Sequence, residues 1–205
     1  SAGPFAPSEV KEISSKAFLI GASVRGEVGF EVIGELRKKE ALISADVQGF
    51  IRIARGGKLV FEDWTEKEKV LSKVDVLKTD AVEAELLTAQ VDIRAAAKML
   101  ADLGPKEVVL THRNGLLVYD GSHFYEANFY PEKLVGRSGR GDTCIASYVA
   151  RRLNAPPSEA TIWAAAVTSL KMEAEGPFRR DIHEVEELIQ KKYSSRVTNS
   201  RKHSA

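Results

Sequence analysis

The sequence predicts an α/β fold with a mostly parallel sheet and helices on both faces. Three observations carry this. Two short apolar runs rich in β-branched residues, "KAFLIGAS" (16–23) and "ALISADVQ" (41–48), read as buried strands. Between them Val28, Val32, Ile33 and Leu36 recur at helical spacing, which predicts a helix over 27–39 and makes a βαβ unit with a parallel pair. Two further buried-strand runs, "VDVLKT" (74–79) and "EVVLTH" (107–112), are separated by helical stretches.

The remaining elements follow in order. "SAGPFAPSEV" is a Pro/Gly-rich loop. "FIRIARGGKLVFE" is a hairpin about Arg55-Gly56-Gly57. Thr65 and Glu68 have the spacing of a capping box and open a short helix before Val70 and Leu71. "DAVEAELLTA" and "VDIRAAAKMLADLG" are helices, the second ending at Gly104. "GLLVYDGSHFYEANF" is a hairpin turning at Asp120-Gly121. Three helices complete the chain. The first, about 142–153, buries Ile145, Val149 and Leu153. The second runs from about Ser158 to Lys171. The third opens at Asp181, paired with Glu184 in a capping box, and buries Ile182, Val185, Leu188 and Ile189. The polar, basic stretch 193–205 is expected to be a frayed tail.

Composition narrows the function classes. The 205 residues suffice for one domain with a sizeable core, and 43% apolar against 29% charged residues is ordinary for a soluble protein. A net charge of +1 gives no large nucleic-acid footprint. The one cysteine, Cys144, permits no intrachain disulfide and suits a cytoplasmic setting. The histidines are scattered without metal-ligand spacing, and no apolar run reaches transmembrane length. The expected partners are therefore small molecules, with neither nucleic acid nor membrane.

The chemistry concentrates in "GRSGRGDTCIASYVARRL" (136–153), where three glycines and two arginines precede an aspartate and a helix. A glycine-rich turn entering a helix aims several backbone N–H groups at one point, and the helix dipole adds positive potential there. Gly139, Arg140 and Gly141 would form an anion hole for a phosphoryl group. Asp142, at the helix mouth, could take a proton from an attacking hydroxyl. The competing reading makes Asp142 an N-cap and the glycines a loop. The stretch matches neither the P-loop nor the dinucleotide fingerprint, so an NAD-linked dehydrogenase ranks last.

This segment resembles the second signature of the ribokinase-like (PfkB) carbohydrate kinases, D-T-x-G-A-G-D before a helix. Gly139, Gly141 and Asp142 match it, while Gly136, Arg137 and Arg140 stand where the family has Asp, Thr and Ala. The resemblance runs in consistent order from residue 10 to about 190. It implies a three-layer ribokinase-like fold over 1–192, incomplete at its N-terminus, with Asp142 as catalytic base and the 139–141 backbone as anion hole. It implies ATP and Mg²⁺ as cofactors and transfer of a phosphoryl group to a hydroxyl of a sugar, polyol or similar molecule.

Other segments extend the resemblance. "VLKTDAVEAELL" is similar to the family's N-x-x-E element, with Asp80 in place of Asn and Glu83 matching; this implies a role for both near the donor phosphates, Glu83 reaching the metal through water. The plain alternative is that D-x-x-E caps a helix. "VVLTHRNGLLVYDG" is similar to the nucleotide segment T-x-G-x-x-G, with Thr111 and Gly115 fitting and Arg113 where Gly often stands. "TIWAAAVTSLKMEAEGPF" is similar to the helix and loop that close over adenine, implicating Ala165 and Gly176. "SADVQGFIR" is similar to a strand ending in D-x-N/Q…R, which makes Arg52 a substrate contact or, alternatively, a salt-bridge partner of Asp46. Cys144 reads either as a reactive thiol at a helix start or as a small buried residue, with burial preferred. The family's substrate-binding and lid strands lack counterparts, so the chain by itself is expected to be inactive, and a homodimer would form through that lid region. The second functional reading is a nucleotide- or metabolite-binding module without kinase activity.

Overall fold

The computed structural model describes residues 3–136 and 138–193. Most of the tail, like Arg137, lies outside them. The chain divides into two compact units: Ser1–His112 with Leu117–Tyr125, and Arg113–Leu116 with Glu126–Ala205.

The first unit opens with a short helix α1 (Pro7–Lys11), where a loop is expected; Glu9 accepts the N–H of Ala6 at 2.7 Å and Pro7 starts the turn. The βαβ unit follows as β1 (Ala17–Ile20), α2 (Phe30–Arg37) and β2 (Leu42–Asp46), with β1 and β2 parallel and Ala17 opposite Leu42. A single turn α3 (Gln48–Ile51), not evident from the sequence, leads into the hairpin β3 (Arg52–Arg55) and β4 (Lys58–Phe61), a separate two-stranded sheet turning at Gly56-Gly57. Helix α4 (Lys67–Leu71) starts one residue later than expected. Its N-cap is Glu66, with no side-chain cap bond, so the Thr65–Glu68 capping box does not form. Then come β5 (Val76–Asp80), α5 (Ala81–Thr88), α6 (Ile93–Asp102) and β6 (Glu107–Thr111). Both β2–β5 and β5–β6 are parallel, and their carboxyl ends lie together.

The main sheet has the order β1-β2-β5-β6-β7-β8, with β7 (Gly115–Tyr119) and β8 (Phe124–Asn128) at one edge. β7 follows β6 after three residues and β8 follows β7 after four, connections too short for a parallel crossover, so this edge reverses direction. Asp120 shapes the β7–β8 turn by accepting the N–H groups of Ser122 and His123. Ile43, Leu77, Val108, Leu110 and Leu117 are wholly buried and form the strand side of the core, against Ile33, Ala97 and Leu100 of the helices. The sheet matches the expected mostly parallel α/β class.

The second unit is helical. α7 (Arg140–Arg152) packs on α8 (Pro157–Lys171), and α8 on α9 (Ile182–Lys192). The stripe Ala164–Ala166 is fully buried, which permits close helix packing. Two expected core residues are corrected: Leu153 is the C-cap of α7 at 39% exposure, and Ile182, the first residue of α9, is 65% exposed, both at helix ends where one side of the turn faces solvent. Asp181 and Glu184 form their capping box as expected. Tyr193, expected as the first tail residue, is buried. Its hydroxyl donates to the Asn128 carbonyl at 2.6 Å, and its ring meets Tyr130 edge-on.

Candidate active site

The sequence-derived site residues fall into two groups, one in each unit.

In the second unit, Gly139 is the N-cap of α7 with φ 72° and ψ 10°. That left-handed conformation turns the chain sharply into the helix and suits glycine. α7 thus starts at Arg140, two residues earlier than expected. Arg140 and Gly141 form its first turn, and Asp142 is its third residue, exposed and not the cap. The N-cap alternative for Asp142 is thereby corrected. The first N–H groups of a helix have no intrahelical acceptor, and those of Arg140, Gly141 and Asp142 leave the helix mouth together with the positive end of the dipole.

Arg140 also lines a cavity of about 380 Å³ with Arg113, Asn114, Tyr130 and Leu134. Its guanidinium carbon lies 5.9 Å from the centre of the Phe129 ring. Gly115, beside Arg113, is buried where the strand presses on its neighbour: a Cβ there would run into the Ala127 carbonyl and stand 2.8 Å from Asn128 Cα. Arg113 and Arg140 thus bring two fixed positive charges to one cavity.

Behind the glycine turn, the N–H groups of Val135 and Gly136 both donate to the Met172 carbonyl, at 2.9 and 3.2 Å, tying the loop to the end of α8. Gly176 is exposed with φ 77°, in keeping with a turn. Ala165 is wholly buried in α8, where its carbonyl accepts the Ser169 hydroxyl, so it presents no surface to a ligand. Cys144 is also fully buried, which corrects the reactive-thiol alternative.

In the first unit, Asp80 caps α5. Its carboxylate accepts the N–H groups of Val82 and Glu83, and Glu83 reaches back to the Asp80 N–H at 2.8 Å. The capping box expected as the plain alternative is real, and it sits on a charged cluster the sequence did not flag. Lys78, on the inward face of β5, pairs with Asp46 at 3.1 Å and lies 3.9 Å from Glu83. Burial pushes the Glu83 carboxyl up to about 7 against the pull of Lys78, with the Asp80 and Asp46 charges raising it further. Burial acts to lower the Lys78 pKa, but Asp46, Glu83 and Asp80 outweigh it and raise it. Thr111 stands opposite Asp80 in the β5–β6 register, buried, its hydroxyl directed at the Thr79 carbonyl. Asp80, Glu83, Thr111, Asp46 and Lys78 thus meet at the carboxyl ends of parallel strands, where open α/β sheets bind ligands. Lys78 could have been flagged from the sequence: a lysine inside an apolar strand must have partners.

Arg52 does not pair with Asp46. The turn α3 brings Gln48 to it instead, and its guanidinium donates to Gln48 Oε1 at 2.7 Å and lies 5.7 Å from the Phe61 ring centre. Asp46 is engaged by Lys78, which removes it as a partner.

The sequence profile of the pfkB family carbohydrate kinases matches residues 52–179. The chain superposes on a structure described as a pyrophosphate-dependent kinase in the ribokinase family complexed with a pyrophosphate analog and myo-inositol. The TM-score is 0.85 at 41% identity, over 91% of this chain and 68% of that one. A ribokinase of Arabidopsis thaliana complexed with ribose and ATP shares the fold, with TM-score 0.69 at 21% identity over 86% of this chain and 56% of that one. A cytidine kinase of Thermococcus kodakarensis is 33% identical over 94 residues, 44% of this chain and 34% of its own. The chain therefore spans about a third of that curated relative. No helix among the described residues is long and apolar enough to cross a membrane.

Proposed function

The chain belongs to the pfkB family of carbohydrate kinases, and from that premise we propose that it carries the donor-binding and catalytic portion of a kinase that phosphorylates a hydroxyl of a sugar, polyol or nucleoside-like molecule. The single observation that carries the proposal is the α7 mouth: a left-handed Gly139 opens directly onto the N–H groups of Arg140 and Gly141, with the carboxylate of Asp142 exposed on the same turn.

Asp142 takes the proton of the acceptor hydroxyl. The freed oxygen attacks phosphorus in line, the bond from phosphorus to the donor's bridging oxygen breaks, and the departing phosphate takes that electron pair. The first-turn N–H groups hold the oxygens of the transferred group, where their preorganisation counts most.

The donor we place first is pyrophosphate, ahead of the ATP that the family resemblance implies. Arg113 and Arg140 supply two permanent charges to one small cavity, which suits a compact polyanion. The similarity at 41% identity is to a pyrophosphate-dependent kinase, whereas the ATP-bound ribokinase shares the fold at 21%. That pyrophosphate-dependent kinase is complexed with myo-inositol, which makes a polyol the acceptor class to try first.

The side chains of the first unit do not fit a directly held Mg²⁺. Asp80 and Glu83 cap α5 with their carboxyl groups, Lys78 pairs with Asp46 and lies 3.9 Å from Glu83, and no group of three metal-ligating side chains occurs among the described residues. No step is therefore routed through a protein-held metal.

A non-catalytic nucleotide- or metabolite-binding module is the second reading, favoured by Gly136, Asp80 and Arg113 standing where the family pattern has Asp, Asn and often Gly. Incubating the full-length protein with pyrophosphate or ATP and a panel of polyols, sugars and nucleosides separates the two. Acceptor-dependent consumption of one donor is expected. Donor binding with no acceptor-dependent consumption would leave the binding module.

A further inference from the structure

We propose that Lys171 is a ligand of the phosphoryl donor, its ammonium supplying the fixed counter-charge to the anion held at the N-terminus of α7. This rests on reading that terminus as the donor site. Lys171 is the last residue of α8 and is 4% exposed. Among the described residues, no carboxylate lies within ion-pair distance of it. Its hydrogen bond is a long one, Nζ to the Ala174 carbonyl at 3.4 Å.

A buried charge without a counter-charge is strongly unfavourable. The contrast with the other buried lysine is direct: Lys78 has two carboxylates within 4 Å, and Lys171 has none among the described residues. The side chain of Lys171 runs to the glycine turn. Its Cε lies 3.8 Å from where a Cβ on Gly139 would stand, and the turn is tied to the same end of α8 by the Met172 carbonyl. A buried cation with a carbonyl but no carboxylate for a partner among the described residues thus lies beside the turn that opens onto the positive end of a thirteen-residue helix. Two like-signed features side by side repel each other unless an anion sits between them. A phosphoryl oxygen satisfies both, and a neutral ligand satisfies neither. That no carboxylate stands beside Lys171 among the described residues is visible only in three dimensions.

The test uses the full-length protein with no acceptor present, in buffer free of phosphate and sulfate. Wild type, Lys171→Met, Lys171→Arg and Asp142→Asn are compared by thermal unfolding and by pyrophosphate and ATP titration. Lys171→Met removes an uncompensated charge at similar volume, so it is expected to melt no lower than wild type without anion. Its donor affinity is expected to fall about ten- to hundred-fold, as for a lost charged hydrogen bond. Lys171→Arg keeps the charge and keeps most of the donor-dependent rise in Tm, which separates charge from packing should Lys171→Met fail to fold. Asp142→Asn retains donor binding. If wild type binds neither donor, the donor-site reading itself fails. If wild type binds and the Met and Arg variants bind equally well, Lys171 is structural and this proposal alone is overturned.

Discussion

The ammonium of Lys78 lies 3.1 Å from the carboxylate of Asp46, and both side chains are 6% exposed. The pair joins β5 to β2 at the same end of the sheet as the α5 cap. Removing one partner of such a pair leaves a buried charge stranded. Lys78→Met is expected to cost about 3–5 kcal/mol of stability, while the double variant Lys78→Met with Asp46→Leu recovers most of it. Urea unfolding of the two variants and wild type checks this; a double variant as unstable as the single would contradict it.

Glu83 gives a pH signature of definite sign. Its carboxyl is 4.5 ordinarily and about 7 in the folded chain, so the folded state holds that proton more tightly than the unfolded state. Its contribution is full below about pH 4.5 and is lost as pH rises through about 7, a change of about 3 kcal/mol. Glu83→Gln should remove that slope. The difference in unfolding free energy between wild type and variant, measured in metal-free buffer from pH 4.5 to 7.5, isolates it from the other carboxylates. A pH-independent difference would contradict the burial argument.

Glycine substitutions separate close approach from backbone conformation. Gly115→Ala must push into the Ala127 carbonyl, backbone that cannot turn aside, and is expected to cost about 1–3 kcal/mol. Gly139→Ala forces an L-residue to φ 72° at a cost of about 1–2 kcal/mol, and it should also weaken pyrophosphate binding by distorting the helix mouth. Gly34→Ala, within α2 with open space around its Cβ, serves as the control and should stabilise by about 0.5–1 kcal/mol. Denaturant unfolding ranks the three; equal effects would contradict the geometric distinction.

Much of the framework was legible because it rests on local signals. The apolar β-branched runs marked β1, β2, β5 and β6, and the D-x-x-E pattern marked the caps of α5 and α9. The turn α3 was hidden because four residues carry no periodicity, and it decided the partner of Arg52. Thr65 failed as a cap although its spacing was right, because the chain enters α4 one residue later, through Glu66. The Lys78–Asp46 pair joins residues 32 positions apart, and the burial of Lys171 without a carboxylate beside it among the described residues is a matter of three-dimensional neighbours; neither is a pattern that a sequence window can hold. At the α7 mouth, the sequence left cap and base equally open for Asp142, and the left-handed Gly139 took over the cap.

The central claim is that Asp142 is the base, and its most direct measurement is kcat for Asp142→Asn against wild type in the full-length protein, with saturating donor and acceptor and with matched thermal unfolding. The account predicts a loss of about 10²–10⁴-fold in kcat with little change in donor affinity. Unchanged kcat in a folded Asp142→Asn protein would contradict it.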